Sequence, residues 1–156
     1  MNSSQELAET EDRVARWIKQ ANFSSETKVE FLAGDASDRR FARVIPPKSR
    51  TSILVVHNNS IDPTQLPMLQ VTELFRKLPV NVPTIHSISP ELGIVVLEDL
   101  GDTTLESAVS KGNKEQRTSY YQEAVNIIGT IQRGSRQSSK TENIAFSVAF
   151  DFDKLL

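Results

Sequence analysis

Residues 27–57 read TKVEFLAGDASDRRFARVIPPKSRTSILVVH and decide the fold of the chain. Near the start of this stretch Val29 and Phe31 alternate with charged neighbours, a pattern typical of a half-buried strand. The apolar run at residues 53–56 is typical of a strand that is buried on both faces, at the centre of a sheet. The polar turns between the strands are too short for a parallel crossover, so the pattern predicts an antiparallel meander.

Helices are predicted on either side of this meander, and two more strands follow it. The N-terminal segment is amphipathic, because Val14, Trp17 and Ile18 share one helical face and charged side chains occupy the other. The predicted strands are 27–32, 41–45, 52–57, 84–88 and 94–98. The later predicted helices are residues 64 or 66 to 78, 105–109 and 114–133.

The longest predicted helix carries an apolar stripe that we expect to be buried. Its members recur at helical spacing, as expected for a face that packs on other elements. Residues 134–143 are polar and predict a loop after this helix. The stripe consists of Tyr121, Ala124, Val125, Ile128 and Ile131.

The order of elements predicts an α+β fold. Its expected parts are a five-stranded, mostly antiparallel sheet, one crossing helix, an N-terminal helix and trailing helices. The expected division of the chain is an N-terminal helix at residues 1–26, a sheet lobe at residues 27–102 and a helical part at residues 103–156.

Composition excludes several classes of protein. The 156 residues include no cysteine, which rules out disulfide scaffolds and cysteine nucleophiles. The net charge of −2 supplies no positive field for nucleic acid or an anionic membrane, so neither is an expected partner. The polar, acidic N-terminus lacks the pattern of a signal peptide, and the expected location is the cytoplasm.

No metal site is predicted from the side chains that could form one. His57 and His86 are the only histidines, and no further ligands follow at metal-binding spacing. The run Asp151-Phe152-Asp153 is like a kinase Asp-Phe-Gly element, but no His-x-Asp precedes it, as kinase chemistry would require. We interpret Asp151 as a helix cap.

Residues 34–40, GDASDRR, admit two interpretations. A loop with glycine, serine and exposed main-chain N–H groups can cover phosphates, and Arg39 and Arg40 could contact anionic oxygens. The residue types alone favour an ordinary polar turn, because the loop has one glycine and is no Walker motif.

Residues 98–102, EDLGD, also admit two interpretations. At a junction between a sheet lobe and a helical lobe, their main chain could hydrogen-bond a flat heterocycle. The residue types alone favour an acidic turn in which Asp102 or Thr103 caps the next helix.

The order of the motifs resembles one kinase family. Residues 34–44, GDASDRRFARV, resemble the Gly-Asp-Ala-Ser-Phe-Arg-Arg-Tyr-Phe-Arg signature of aminoglycoside phosphotransferase and choline kinase-like enzymes. Residues 97–102, LEDLGD, are similar to the hinge of the branch that contains bacterial N-acetylmuramate/N-acetylglucosamine kinases. Residues 80–83, 93–97 and 150–156 also resemble that branch, and the matches run in order from about residue 31 to the end of the chain.

This resemblance implies a protein-kinase-like N-lobe with a hinge at residues 97–102, followed by a helical linker and the beginning of a truncated C-lobe. It implies that the main chain of Glu98 and Leu100 hydrogen-bonds adenine, and that apolar residues near Leu97 and Val44, these two included, sandwich the ring. The phosphate-covering loop would then contain Gly34, Asp35, Ala36, Ser37, Arg39 and Arg40.

The implied activity is transfer of the ATP γ-phosphoryl group, with Mg²⁺, to a hydroxyl of a sugar or aminoglycoside-like small molecule. In this family the catalytic base and magnesium ligands belong to the C-lobe, so no catalytic or metal-binding residue is expected in this chain, which would be inactive alone. Two departures are Asp38 at the loop tip and Val56 where many kinases have lysine. They leave open a non-enzymatic α+β binding or regulatory module. The oligomeric state is not predicted.

Overall fold

The computed structural model describes residues 3–32 and 39–137. This part of the chain is an α+β fold with a five-stranded antiparallel sheet and four helices. The strands are β1 (Lys28–Phe31), β2 (Arg40–Ile45), β3 (Ser52–Val56), β4 (Ile85–Ser89) and β5 (Ile94–Glu98). The helices are α1 (Ser3–Gln20), α2 (Pro67–Arg76), α3 (Leu105–Lys111) and α4 (Lys114–Gln137), with a 3₁₀ turn at Pro63–Gln65 before α2.

The strand order β1-β2-β3-β5-β4 confirms the predicted meander and the central position of β3. All four neighbouring pairs are antiparallel. Val55 and Val56 point to opposite faces of the sheet and are both buried, as the apolar run in β3 predicts.

The chain divides into two compact units. The first contains Met1–Gln65 and Pro83–Asp99, and therefore α1 and the whole sheet. The second contains Leu66–Val82 and Leu100–Leu156, with the other three helices. Helix α2, predicted to cross the sheet, belongs to the second unit, and its packing on the sheet stays a prediction.

Helix α1 covers one face of the sheet, which we call the α1 face. Val14 and Trp17 of the helix belong to one buried cluster with aliphatic side chains of the sheet. The ring centroids of Trp17 and Phe23 are 5.5 Å apart, which extends the cluster beyond the helix. Each buried Val, Leu or Ile side chain stabilises the unit by about 1.5–3 kcal/mol. The sheet and turn members are Ala42, Val44, Leu54, Val56, Leu92, Ile94 and Val96.

Arg13 and Gly93 fix the turn between β4 and β5. The Arg13 guanidinium donates hydrogen bonds to the carbonyls of His57 and Leu92, which ties α1 to this end of the sheet. Gly93 has a φ of +65°, and a Cβ there would overlap the carbonyl oxygen of Asn59. Both the conformation and the space at this turn therefore require glycine.

Thr104 caps the start of α3. Its main chain is extended, and its side-chain hydroxyl accepts a hydrogen bond from the Ser107 N–H at 3.1 Å. The prediction that Asp102 or Thr103 would cap this helix was wrong by one or two positions. Several consecutive polar residues could serve as the cap, and only the main-chain conformation of Thr104 selects it.

The predicted buried stripe of α4 is largely exposed, so that prediction was wrong. Tyr121, Val125 and Ile128 keep 56%, 60% and 54% of their surface exposed, and Ala124 and Ile131 are partly buried. Helical spacing specifies which side chains share a face, but it does not specify whether another element covers that face.

Helix α4 is also longer than predicted, since it continues to Gln137. The predicted loop at 134–143 is therefore helical in its first four residues, and residues 138–143 lie outside the described part. Gly134 approaches Leu78 so closely that a Cβ would overlap its side chain. The glycine marks a close contact here and not the end of a helix. None of the helices within residues 3–32 and 39–137 is long and apolar enough to cross a membrane.

The cluster under α1 predicts a large difference between two identical substitutions. Leu54→Ala should lower the free energy of unfolding by about 2–5 kcal/mol, because Leu54 is fully buried and its truncation leaves a cavity. Leu7→Ala, at a side chain 38% exposed in α1, should cost about 1 kcal/mol or less. Urea denaturation followed by fluorescence of Trp17, the single tryptophan, measures both. Equal losses would contradict the burial of Leu54.

Candidate functional site

The predicted site residues that the structure describes lie along or directly before β2 and at the end of β5. Near β2 these are Arg39, Arg40 and Val44, and near β5 they are Leu97, Glu98 and Leu100. The remaining predicted loop residues lie outside the described part of the chain, so their role stays a prediction. They are Gly34, Asp35, Ala36 and Ser37.

The register of the sheet places these side chains on two faces. Arg43 pairs with Ile53, which in turn pairs with Leu97, so all three share one face. Val44 aligns across β3 with Glu98, and both point to the other face, which α1 covers. We call the face opposite α1 the Leu97 face.

The structure does not bring Val44 and Leu97 together. Val44 is fully buried under α1, in the cluster that contains Val14 and Trp17. A ring that lies against Leu97 cannot also contact Val44 through the sheet, so these two residues do not form the expected sandwich. A shift of one residue along a strand moves each side chain to the opposite face of the sheet. The motif match did not specify which residues point to which face.

Arg39 shares the Leu97 face with Phe41. The Arg39 guanidinium carbon is 5.9 Å from the centroid of the Phe41 ring, within the range of a cation–π interaction. A guanidinium held in this way can neutralise an anionic oxygen near the start of β2. Arg40 aligns with Val56 and points to the α1 face instead.

Glu98 is held by Thr84 through both its main chain and its side chain. The Glu98 N–H donates to the Thr84 carbonyl at 2.8 Å, and the Thr84 N–H donates to Oε2 of Glu98 at 3.0 Å. The Glu98 amide therefore already donates its hydrogen bond to the Thr84 carbonyl. A ligand hydrogen bond to the main chain of this residue would have to use its carbonyl.

A polar cleft of about 640 Å³ opens where β5 ends. The pKa of the Glu98 carboxyl lies below its ordinary value, first because of the hydrogen bonds from Thr84 and also because His86 and Arg50 are near. Glu98 is the member of the predicted site that lines this cleft within the described residues. The lining residues are Ser49, Arg50, Thr51, Ser52, Thr84, His86, Glu98 and Asp99.

An ion pair between Arg43 and Asp99 crosses the sheet at the same end. Nε of Arg43 lies 2.8 Å from Oδ2 of Asp99, and Nη2 lies 3.2 Å from Oδ1, so the contact has two points. The side chains are 14% and 6% exposed. A bidentate pair with so little exposure fixes the relative orientation of its two groups as well as their distance.

Sequence reasoning did not single out this pair. Both residues belong to the resembled motifs, Arg43 to residues 34–44 and Asp99 to residues 97–102. The sequence did contain a sign of the pair, namely charged residues next to apolar ones. Arg43 lies between Ala42 and Val44, and Asp99 directly follows an apolar strand. Such charges need partners when buried, although the sequence does not say which opposite charge each one meets.

His57 lies at the end of β3, as predicted, and His86 lies exposed in β4. Burial lowers the pKa of His57 below its ordinary value of 6.5, and the charges of Arg39 and Arg13 lower it further. His57 is therefore neutral at pH 7. No three His, Cys, Asp or Glu side chains in the described segments lie close enough together to hold a metal ion.

These observations define an α+β protein whose last strand leads out of the sheet through a charged, hydrogen-bonded segment. A comparison with curated proteins finds a relative named N-acetylmuramate/N-acetylglucosamine kinase, from Neisseria meningitidis serogroup B. The two are 28% identical over 126 residues, which suggests that the chain is distantly related to sugar kinases.

The alignment covers 80% of this chain but 37% of the relative, so the chain spans little more than a third of that protein's length. No family model matches the chain, and no solved structure matches it.

The contacts of Glu98 predict a pH-dependent contribution to stability. Its pKa in the folded protein is below the ordinary 4.5, so the stabilising effect of the carboxylate is present above that pH and is lost as the pH falls through the folded pKa. Glu98→Gln should therefore be less stable than the wild type near neutral pH and approach it in acid. Urea midpoints from Trp17 fluorescence measure the difference.

The matched control is Glu91→Gln, at an exposed position in the β4–β5 turn. It should leave the pH dependence of the urea midpoint close to that of the wild type. A Glu98→Gln effect that stays constant from neutral to acidic pH would contradict the linkage between Glu98 and Thr84.

Proposed function

We propose that the chain is the N-terminal, nucleotide-binding part of a phosphotransferase. The enzyme would move the γ-phosphoryl group of ATP to a hydroxyl of a sugar or a similar small molecule. The observation that carries the proposal is the similarity to the N-acetylmuramate/N-acetylglucosamine kinase over 80% of this chain. The name of this relative favours an N-acetylated amino sugar as the acceptor.

The sheet supports this proposal by its order and by the way it ends. Five antiparallel strands in the order β1-β2-β3-β5-β4 suit a kinase-like N-lobe, with β5 leading into the hinge. After Asp99 the chain leaves the unit of the sheet, and Leu100 begins the helical unit. The main chain directly after β5 can offer carbonyl and amide groups to a flat nucleobase.

In the proposed nucleotide site the adenine lies against Leu97 and hydrogen-bonds the Glu98 carbonyl and the Leu100 amide. The Glu98 amide is excluded from this role because it donates to Thr84. Arg39 on the Leu97 face would neutralise phosphate oxygens, together with the loop at residues 34–38. Val44 has no part in the site, since it is buried under α1.

The proposed reaction leaves little covalent chemistry for this chain. The acceptor hydroxyl oxygen bonds to the γ-phosphorus, the bond to the β–γ bridging oxygen breaks, ADP leaves, and a base takes the hydroxyl proton. Base and magnesium ligands would come from the part of such an enzyme to which these 156 residues do not correspond. The exposed stripe on α4 agrees with a larger fold, because extended apolar surface usually marks an interface.

A second candidate is a non-enzymatic α+β binding or regulatory module. The observation that favours it is Val56, which stands where many kinases have a phosphate-binding lysine. Val56 is fully buried in the aliphatic cluster under α1, so this position of β3 offers no cation to a nucleotide. A module of this kind would keep the sheet without binding ATP.

The proposed site predicts that the chain binds Mg-ATP weakly in isothermal titration calorimetry. Arg39→Ala should reduce this affinity about tenfold, because a charged hydrogen bond to phosphate is lost. Gly34→Val in the loop should also reduce it. Arg16→Ala, an exposed arginine of α1, is the matched control and should leave the affinity unchanged. Binding by the wild type that neither site variant affects would contradict the loop assignment, and no binding would favour the module.

A second prediction concerns activity. The chain alone should transfer no phosphoryl group from Mg-ATP to N-acetylglucosamine or N-acetylmuramate, because it contains no proposed base. Measurement of ADP release with and without acceptor tests this. Acceptor-dependent release of ADP would show that a catalytic base lies within these residues.

A further inference from the structure

The Arg43–Asp99 ion pair joins the two strands that carry the described part of the proposed site. Arg43 lies in β2, which begins directly after Arg39, and Asp99 follows β5 between Glu98 and Leu100. Strands β2 and β5 are not neighbours, because β3 lies between them. The pair therefore spans about 10 Å of sheet, two strand spacings.

Stability alone is a poor explanation for this pair. Two charges with 14% and 6% exposed side chains have lost most of their hydration. The attraction between such charges does little more than offset that loss, and well-packed apolar pairs are often as stable. What the pair supplies in addition is geometry, because two parallel N–H···O bonds fix the Asp99 carboxylate in one orientation.

We propose that Arg43 and Asp99 are positioning residues for nucleotide binding, which hold the hinge main chain in the conformation that receives adenine. This inference rests on the proposed function. The pair sets the place of Asp99 relative to β2, while the two hydrogen bonds between Thr84 and Glu98, one donated by each main-chain N–H, fix Glu98. The hinge is thereby held at two consecutive residues before any ligand arrives.

The benefit of such a device is preorganisation. Adenine needs the Glu98 carbonyl and the Leu100 amide at a fixed spacing, and Asp99 is the residue between them. Without the ion pair, binding would have to order this main chain, and the lost conformational freedom would weaken the affinity.

The test replaces both charges together. Arg43→Met/Asp99→Leu removes the pair without leaving either charge buried alone, so the variant is expected to keep a melting temperature close to that of the wild type. Its affinity for Mg-ATP, measured by calorimetry on the full chain, is expected to fall about tenfold. The matched control makes the same substitutions, Arg16→Met/Asp12→Leu, at the exposed pair in α1 and is expected to leave the affinity unchanged.

A second readout separates positioning from a general structural effect. The hinge contacts distinguish adenine from guanine, so the wild type should bind Mg-ATP more tightly than Mg-GTP. The Arg43→Met/Asp99→Leu variant should lose most of this preference, whereas a general loosening would weaken both nucleotides equally. A folded variant with wild-type affinity and preference, or with equal weakening of both nucleotides, would overturn the inference and leave the proposed function intact.

If the double variant does not fold, the Arg43→Lys variant tests the inference in its place. It keeps the charge but loses the two-point contact. Reduced preference for Mg-ATP with an unchanged melting temperature would support the inference, and an unchanged preference would overturn it. If the folded wild type binds neither nucleotide, the proposed function fails and the inference with it.

Discussion

The alternation of side chains along β2 determines which face of the sheet can carry chemistry. Ala42 and Val44 point under α1 and are fully buried, so the residues between and beside them must point the other way. Phe41 and Arg43 are those residues, and with them Arg39. One strand thus closes the α1 face with an aliphatic core and places Arg43, and Arg39 before it, on the Leu97 face.

The Arg43–Asp99 pair depends on this alternation. A shift of one residue in β2 would move Arg43 into the aliphatic cluster under α1, where a charge without a partner is very costly. The buried core and the ion pair therefore specify the same register. Because Asp99 directly follows Glu98, that register also determines where the chain leaves the sheet.

Periodicity in the sequence was sufficient for the strands, and the short turns were sufficient for the antiparallel pairing of the strands that they join. It was not sufficient for the partners of charged side chains. The contact between Arg43 and Asp99 joins residues 56 positions apart, and no local pattern encodes it. The prediction that the α4 stripe is buried was wrong for a related reason. The stripe has helical spacing whether or not another surface covers Val125 and Ile128.

Nucleotide binding at the end of β5 is the central claim, and amide NMR spectra of the labelled chain during titration with Mg-ATP test it most directly. The largest shift changes should occur at residues 39–41 and 97–100, on the Leu97 face and at the hinge. Changes confined to α1 and the α1 face, or no changes at saturating nucleotide, would contradict a nucleotide site on the Leu97 face and at the hinge.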